Sequence, residues 1–368
     1  MPKILFISYD GMTDPLGQSQ VIPYLKGLSK FGYEFTILSC EKKVNYSNEK
    51  NEIQNLLSAS KIKWVPVKYH KSPPVISTIW DVCRLKQKAF ELHEKEGFEL
   101  VHTRPGIPAL IGIEMKKKLG VKFLNDIREF YADSRMEGKI WNEKNFIYRR
   151  IYHYFKQKEK EAVEINDGIV CLTSAAEKII RKWPEFRNNV PLQVIPCSVD
   201  VNLFNPHKID HSLKEAFKKQ LKIDEGDVVI SYLGSTGSWY LIEEMMQFFK
   251  KIGEKIPEAK FLFISPAAKK EILSIAKRCG LEEKRLLLHK AKRYEVPALL
   301  SLSKISVFFI KPSYSKQSSS PTKHAEIMAM GIPVISNAGV GDLSEIIEIT
   351  KTGFVLKELT EEEFERTA

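Results

Sequence analysis

Short apolar runs rich in β-branched and aromatic residues recur along the chain, and stretches whose apolar residues fall at helical spacing separate them. Such runs predict strands, and their alternation with helical segments predicts successive βα units around parallel sheets. A first series of predicted strands covers residues 3–9, 34–39, 63–67, 100–103, 121–126, 168–172 and 192–195. A second series covers residues 228–233, 260–264, 285–289, 305–310, 333–336 and 353–356.

The segment between the first two predicted strands shows how this pattern specifies a helix. Apolar residues at positions 21, 22, 25 and 28 fall at helical spacing and form one face. Pro23 is tolerated only in the first turn of such a helix, and Gly32 can end it. We expect the apolar face to pack on the sheet.

Both periodicities break where the first series ends. Proline, aspartate and asparagine residues crowd positions 196–206, so we predict domains of residues 1–196 and 207–368 joined by a linker of residues 197–206. The two series predict an α/β protein of two Rossmann-like, doubly wound domains with a cleft between them. Ligands of such sheets bind at the carboxyl ends of the strands, so the loops that follow the strands are the places to look for chemistry.

Composition excludes several classes of protein. Of the 368 residues, 43% are hydrophobic and 28% are charged, which is typical of a soluble globular protein rather than a disordered or fibrous one. The apolar runs are far shorter than the ~20 residues that cross a bilayer. The first residues lack the apolar core of a signal peptide, and the five cysteines are scattered, so we expect a cytoplasmic protein with reduced thiols.

The net charge of +11 favours anionic partners such as phosphates, nucleic acid or an acidic membrane surface. Basic residues are interleaved with acidic ones and no nucleic-acid motif is present, so we expect no nucleic-acid partner, although a basic nucleic-acid-binding protein stays the non-enzymatic alternative. Residues 146–160 mix two kinds of side chain that suit a peripheral contact with an anionic membrane at its inner face. They are Arg149, Arg150, Lys156, Lys158 and Lys160 among Phe146, Ile147, Tyr148, Tyr152, Tyr154 and Phe155. A helix packed on the core with a solvated charged face explains the segment equally well.

Two loops after predicted strands have the composition of anion-binding loops. Residues 10–20 carry Gly17 and Gln18 just before a predicted helix, where backbone N–H groups can face an anion; a plain connection is the alternative. Residues 234–240 offer glycines and hydroxyls, among them Ser235 and Gly237, together with two aromatic rings. A tight turn anchored by those rings explains this second loop almost as well.

The segment from Ser318 to Ile335 carries the sharpest signal. Ser320 is a natural N-cap and Pro321 a natural first helical residue, and the helix should run for about ten residues. On it, Lys323 and Glu326 share a face, so the lysine can meet a diphosphate while the carboxylate accepts hydrogen bonds from ribose hydroxyls. The alternative is a solvated ion pair worth ~0.2–0.5 kcal/mol.

Charged residues also lie at or just beyond strand ends of the first domain, where function is more common than packing. Asp126, Arg128 and His102 are candidate catalytic residues, and Arg104 and Asp133, with Gln20 from the first loop, are candidate acceptor-binding residues. Salt bridging among them is the alternative for any one residue. No Asp-x-Asp, P-loop, H-E-x-x-H or G-x-S-x-G motif occurs, which favours a site without a metal.

Taken together, four segments resemble the family 4 (group 1) glycosyltransferases of the GT-B fold. They are residues 10–20, 194–200 and 232–240, and the stretch from Ser320 to Glu326 continued by residues 330–335. The resemblance implies an activated sugar held mainly by the second domain, an acceptor held mainly by the first, and retention of anomeric configuration without a metal or other cofactor. It places Glu326 on the donor ribose and Gly17 beside the donor diphosphate.

The sequence departs from the family pattern at three places. Ser318 stands where the family's motif has its first glutamate, so serines 318 to 320 are expected to replace it with hydroxyl and amide contacts. Ser319, Ser320 and Thr322 are candidate donor-binding residues. The arginine and lysine usual in the 234–240 loop are absent, which makes Lys323 the candidate phosphate charge. The long C-terminal helices of this fold do not appear before Ala368, so the second domain is expected to be truncated or to close differently.

These observations predict a retaining glycosyltransferase that moves a hexose-type sugar from a nucleoside diphosphate to a saccharide or lipid-linked acceptor. The proton of the acceptor hydroxyl can go to the departing phosphate oxygen, so no protein nucleophile is required. A sugar-nucleotide epimerase on the same fold is the second enzymatic interpretation. It needs acid/base carboxylates, and Ser318 in place of the motif glutamate speaks mildly against it.

Overall fold

A computed structural model describes all 368 residues, and they form two compact units, residues Met1–Pro196 and Cys197–Ala368. All thirteen predicted strands are present, with ends that agree to within two residues. None of the helices is long and apolar enough to cross a membrane.

The first unit is a seven-stranded parallel sheet with helices on its faces. Its strands are β1 (Lys3–Ser8), β2 (Glu34–Glu41), β3 (Lys63–Lys68), β4 (Leu100–Thr103), β5 (Lys122–Ile127), β6 (Gly168–Cys171) and β7 (Leu192–Val194). Its helices are α1 (Ile22–Ser29), α2 (Lys43–Ser58), α3 (Ile76–Glu96), α4 (Ile107–Leu119), α5 (Tyr131–Glu137), α6 (Phe146–Ile165) and α7 (Ser174–Ile180). The strand order is β3-β2-β1-β4-β5-β6-β7, with Ile4 opposite Phe35 in the β1–β2 pair.

The second unit repeats this plan with six strands. They are β8 (Val228–Leu233), β9 (Ala259–Ile264), β10 (Leu286–His289), β11 (Ile305–Phe308), β12 (Val334–Asn337) and β13 (Gly353–Leu356). Its helices are α8 (His211–Gln220), α9 (Ile242–Lys255), α10 (Lys269–Arg278), α11 (Val296–Leu300), α12 (Thr322–Ala329), α13 (Leu343–Thr350) and α14 (Glu361–Thr367). The order is β10-β9-β8-β11-β12-β13, with Ile230 opposite Phe261 in the β8–β9 pair.

Both sheets are doubly wound, because the chain leaves from a central strand, moves to one edge and then crosses back to build the other half. Strands of such sheets are covered on both faces, which explains why they read as continuous apolar runs rather than alternating ones. Phe261, Phe263 and Phe308 are fully buried at the centre of the second unit. The predicted α/β class with two Rossmann-like sheets is confirmed.

The first helix follows the predicted pattern with one difference. Ile22 and Leu25 are buried against the sheet, Pro23 lies in the first turn, and Gly32 has the positive φ expected of a residue that ends a helix. A π-type turn, Gly17–Val21, precedes α1 and extends it toward β1. The chain therefore enters helical conformation close behind the first loop.

Candidate functional site

Helix α12 begins one residue later than the serine cap predicts. Pro321 occupies the N-cap position and Thr322 is the first helical residue, so the prediction of Ser320 as N-cap and Pro321 as first residue was wrong. The Ser320 hydroxyl instead accepts a hydrogen bond from the Cys197 backbone N–H at 3.2 Å. Gly331, with φ +68°, follows the helix and ends it.

Among the serines before α12, Ser318 turns away from the helix. It is fully buried, and its hydroxyl donates to the Ser315 carbonyl at 2.7 Å inside the short 3₁₀ helix Ser315–Ser318. Ser319 lies next in the chain and is partly exposed, and its N–H donates to the Lys316 carbonyl. The position of the family's first motif glutamate is thus occupied by a side chain that caps its own turn.

The Lys323 side chain lies in a box of aromatic rings. Its Nζ is 3.7 Å from the ring centre of Tyr240, 4.6 Å from that of Tyr232 and 5.6 Å from that of Phe308. The Tyr232 hydroxyl, at 3.5 Å, is its hydrogen-bond partner. Only 7% of Lys323 is exposed, and burial lowers the pKa of its amine to about 7, against a smaller opposing effect of Glu326.

Gly234, the first residue after β8, forms one wall of this box. A Cβ atom built on it would lie 2.4 Å from Lys323 Nζ, and its φ of +140° is one that other residues rarely adopt. The backbone conformation favours glycine, and a side chain at this position would also displace the Lys323 amine. Glycine at this position lets the Lys323 amine of α12 reach the loop that lacks the usual basic residues.

Glu326 lies one turn further along α12 and has a different partner. Its Oε1 pairs with Arg293 Nη1 at 2.8 Å, and the Arg293 guanidinium also lies 5.2 Å from the ring centre of Phe204. Glu326 is 6% exposed, and burial raises the pKa of its carboxyl while Arg293 opposes that rise. Arg293 follows β10, and no sequence motif marked it.

The alternative of a solvated surface pair between Lys323 and Glu326 is wrong. Both side chains are buried, and each is held by other groups: aromatic rings around the lysine and Arg293 beside the glutamate. Two buried ionisable groups on one helix face, each with a perturbed pKa, are typical of a functional site. The neighbouring His324 is also buried, its Nε2 has no hydrogen-bond partner, and burial lowers its pKa to about 4, so it is neutral near pH 7.

The loop after β8 is anchored at both ends and open in the middle. The Ser235 carbonyl accepts a hydrogen bond from the Tyr232 hydroxyl, and the Gly237 carbonyl accepts one from the Tyr240 N–H at 2.9 Å. Ser235 and Gly237 are themselves exposed, and a Cβ on Gly237 would meet no atom closer than 3.8 Å. Aromatic anchoring and an accessible loop backbone therefore coexist, so the two interpretations of this loop are compatible.

Three of the first unit's candidate residues form a buried cluster. His102 Nε2 lies 3.2 Å from Asp126 Oδ2, and Arg128 Nε lies 2.7 Å from Asp126 Oδ1. Burial acts to raise the pKa of Asp126, but the charge of Arg128, with His102 and Arg104, outweighs it and holds that pKa at about 2. The carboxylate is thus permanently ionised near neutral pH.

The candidate acceptor residues have partners inside the first unit. Both Asp133 oxygens are engaged by α6, one by the Tyr152 hydroxyl at 2.9 Å and the other by Lys156 Nζ at 2.7 Å. Arg104 is buried, with its Nε 4.0 Å from Asp10 Oδ2, and Gln20 is buried in the turn before α1. Asp133 therefore ties α5 to α6 whatever else it contacts.

The first loop is held by a carboxylate that sequence reasoning missed. Buried Glu41 accepts hydrogen bonds from the Met12 N–H at 2.7 Å and from the Thr13 hydroxyl at 2.6 Å. A Cβ on Gly17 would lie 2.2 Å from the Gly11 carbonyl oxygen, so only glycine fits there. The Gln18 amide donates to the Thr13 carbonyl and to Glu49. A glutamate at the end of a buried strand is the signal that could have revealed this support.

Helix α6 divides the predicted membrane segment. Lys156, Lys158 and Lys160 pair with acidic side chains, and Phe155 is buried. Toward its N-terminus, Phe146 and Ile147 are 55% and 56% exposed, and Arg150 lies 4.3 Å from the ring centre of Phe146. The first part of α6 therefore offers exposed apolar and basic groups together, and further along the helix Tyr154 is also exposed, with Lys158 Nζ 5.7 Å from its ring centre.

Several solved protein structures are similar to this one along nearly the whole chain. The structure is similar to sucrose-phosphate synthase from Thermosynechococcus elongatus, with a TM-score of 0.70 and 14% identity over 100% of this chain and 88% of that one. It is also similar to Anabaena HepE in complex with UDP and glucose, with a TM-score of 0.68 and 15% identity over 100% and 89% of the two chains. A Listeria monocytogenes protein assigned as a UDP-N-acetylglucosamine 2-epimerase has a TM-score of 0.61 and 12% identity over 99% and 86%.

At these identities the likeness shows the fold, and the predicted GT-B architecture is confirmed. No curated protein matches the chain in sequence. Residues 214–367, which include Arg293, Lys323 and Glu326, match the family model described as glycosyl transferases group 1. The enzyme class predicted from the sequence, a glycosyltransferase, is thereby confirmed at the level of this family match to the second domain.

Proposed function

We propose that the chain is a retaining, metal-independent glycosyltransferase that transfers a sugar from a nucleoside diphosphate to a saccharide or lipid-linked acceptor. The observation that carries the proposal is the pair of buried ionisable groups on α12, inside the segment that matches group 1 glycosyltransferases. Lys323 has no carboxylate within ion-pairing distance, which suits an amine that meets an anionic ligand.

In this proposal each group has a distinct role in holding the donor. Lys323 faces the diphosphate beside the Gly234 loop, and the N-terminus of α12 adds its partial positive charge. Glu326 accepts hydrogen bonds from the ribose hydroxyls, and Arg293 keeps its carboxylate charged and oriented. The metal-independent assignment rests on these cationic groups and on the lack of a chelating Asp-x-Asp motif.

In the transfer step, the bond between the sugar's anomeric carbon and the diphosphate oxygen breaks and a bond to the acceptor oxygen forms. The acceptor's proton goes to the departing phosphate, so the chain supplies positive charge and orientation rather than a nucleophile. The first unit is proposed to bind the acceptor, with His102, Asp126 and Arg128 as its charged cluster. Retention of configuration is inferred from the family resemblance.

Transfer itself is tested with a panel of nucleotide sugars and saccharide or lipid-linked acceptors, with release of the nucleoside diphosphate as readout. We expect release that depends on acceptor and persists in EDTA. Activity that disappears in EDTA and returns with manganese or magnesium would contradict the metal-independent assignment. Conversion of a nucleotide sugar without any acceptor would favour the epimerase alternative.

We also propose that the first part of α6 contacts anionic lipid. Phe146 and Ile147 supply exposed apolar surface, and Arg149 and Arg150 supply charge. Sedimentation with vesicles containing phosphatidylserine at low salt should pellet the wild type. The double variant Phe146→Ser/Ile147→Ser should stay in the supernatant, whereas exposed Val44→Ser on α2 should behave as wild type. A wild type that does not pellet at low salt contradicts this proposal.

A further inference from the structure

The environment of Lys323 is unusual for a group that must bind an anion. A phosphate-binding lysine is ordinarily charged before its ligand arrives, because its pKa lies far above neutral pH. Here Lys323 is 7% exposed, and its amine is enclosed by Tyr232, Tyr240 and Phe308. Its hydrogen-bonding partner is a neutral hydroxyl at 3.5 Å, and no carboxylate lies within ion-pairing distance.

We propose that Lys323 is largely uncharged in the ligand-free protein at slightly alkaline pH and takes up one proton when a nucleoside diphosphate binds. The inference rests on the proposed function of α12 as the donor site. It adds that the donor's negative charge is met by a proton drawn from solvent rather than by a preformed cation. The neutral –NH₂ group gains H⁺ from the buffer and becomes –NH₃⁺, which then lies against the phosphate oxygens.

The groups that face Lys323 support this assignment from each neighbouring element. Tyr232 on β8 is fully buried and Tyr240 in the following loop is partly buried, and burial raises the pKa of each phenol, so both stay neutral. Phe308 on β11 carries no charge. Glu326 on α12 is the one acidic group that acts on the amine, and its carboxylate is already paired with Arg293.

The box also permits the protonated state. The faces of Tyr232 and Tyr240 attract a cation, so the amine can be charged in place without leaving the site. Because burial lowers the pKa of Lys323 to about 7, a negative charge added beside the amine is enough to shift the equilibrium to the protonated form. A nucleoside diphosphate supplies that charge, since its terminal phosphate is fully ionised at pH 8, well above its second pKa of ≈ 6.

Proton uptake by Lys323 makes the affinity for a nucleoside diphosphate depend on pH in a definite direction. Below about pH 7 the amine is already protonated and affinity should be independent of pH from this source. Above about pH 7 each binding event must recruit a proton, so the association constant should fall, approaching tenfold per pH unit. A lysine that stays charged would give no such fall below pH 9.

The first measurement needs no ligand. NMR of ¹³Cε-labelled lysine in the full chain follows the titration of Lys323, assigned by the signal that Lys323→Arg removes. We expect a midpoint near pH 7 in the wild type and a rise toward ~10.4 in Tyr240→Ala, which admits water to the box. Exposed Lys219→Arg is the matched control and should leave the Lys323 midpoint unchanged.

The second measurement is calorimetric titration with UDP and GDP at pH 8 in buffers of different ionisation enthalpy. The slope of the observed binding enthalpy against the ionisation enthalpy of the buffer gives the number of protons taken up. We expect about 0.9 for the wild type, which is the fraction of an amine of pKa 7 that is neutral at pH 8. Lys323→Arg, always charged, should take up none. If Tyr240→Ala does not fold, Lys323→Arg alone carries the comparison.

The outcomes separate the inference from the function on which it rests. A Lys323 midpoint near 10, or nucleotide binding without proton uptake, overturns the inference while the donor site stands. Failure of every nucleotide to bind overturns the proposed function, and with it the coupling, even where the NMR midpoint near 7 is found. A midpoint near 7 together with proton uptake supports both.

Discussion

At the scale of single residues, the two buried ionisable groups of α12 show how a folded protein holds charge at a cost. Lys323 has aromatic rings around it and no paired carboxylate, whereas Glu326 is paired with Arg293. Removal of a buried charge is expected to stabilise a fold when an apolar side chain of similar size replaces it. Substitutions of these residues can therefore separate an effect on the stability of the fold from an effect on ligand binding.

Lys323→Met tests this separation. The folded pKa of the lysine is lowered to about 7, so between pH 7 and pH 10 the unfolded state binds more protons and wild-type stability should rise with pH. The variant should be more stable than the wild type at pH 7 by roughly 1–4 kcal/mol and should lose that pH dependence. Urea denaturation at pH 7, 8.5 and 10 measures both. Equal stability and equal pH dependence would show that the amine is not buried as described.

Asp126 presents the opposite electrostatic case. Its pKa is lowered to about 2 in the folded state, so its contribution is present above the unfolded value near 4 and is lost as the pH falls toward 2. Asp126→Asn should cost ~3–5 kcal/mol at pH 7, because Arg128 loses its counter-charge and His102 loses the carboxylate beside it. The cost should shrink near pH 2.5. Exposed Glu143→Gln is the control, and a cost independent of pH would contradict the assignment.

At the scale of elements, the strands were predictable because both faces of each sheet are covered. Continuous apolar runs such as residues 228–233 leave little choice of structure or position. The start of α12 was misplaced by one residue because the Ser320 hydroxyl accepts from the Cys197 N–H, far away in sequence, instead of capping the helix. Local propensity cannot report a partner 123 residues away.

The same limit applies to the candidate site. Lys323 and Glu326 were identified from their spacing on one helix face, since helical geometry is local. Arg293 and the aromatic rings around Lys323 were not identified from the sequence. They follow or belong to other strands, β10 and β8, and only the folded chain places them beside α12. The sequence therefore predicted the helix that carries the two candidate residues and missed the side chains that surround them.

The loop after β8 approaches α12 most closely where Gly234 lies against the Lys323 amine. Gly234→Ala would place a Cβ 2.4 Å from Lys323 Nζ and would force the amine or the loop to move. We expect nucleoside diphosphate affinity to fall about tenfold, the loss of roughly 1.4 kcal/mol of interaction. Gly226→Ala, before β8 with no neighbour within 4 Å, is the matched control. Calorimetric titration compares them, and equal affinities would remove Lys323 from the diphosphate.

At the scale of the whole molecule, the chain carries two doubly wound units, and the family match covers the second of them. Such sheets bind ligands at the carboxyl ends of their strands, where β8 and β11 bring Tyr232 and Phe308 to Lys323. The net charge of +11 alone did not distinguish phosphate, lipid and nucleic acid as partners. The buried Lys323 and Glu326, three residues apart on α12, are the basis on which we propose a nucleoside diphosphate as the ligand.

The most direct test of this account is a titration of nucleoside, nucleoside diphosphate and nucleotide sugar against the wild type, Glu326→Gln and Lys323→Ala. Each substitution removes a charge-assisted hydrogen bond worth ~1.5–3 kcal/mol, or a roughly ten- to hundredfold loss of affinity. Glu326→Gln should weaken all three ligands alike, because all contain ribose. Lys323→Ala should spare the nucleoside and weaken only the two diphosphate forms. Affinities that neither variant changes across the series would contradict the placement of the donor on α12.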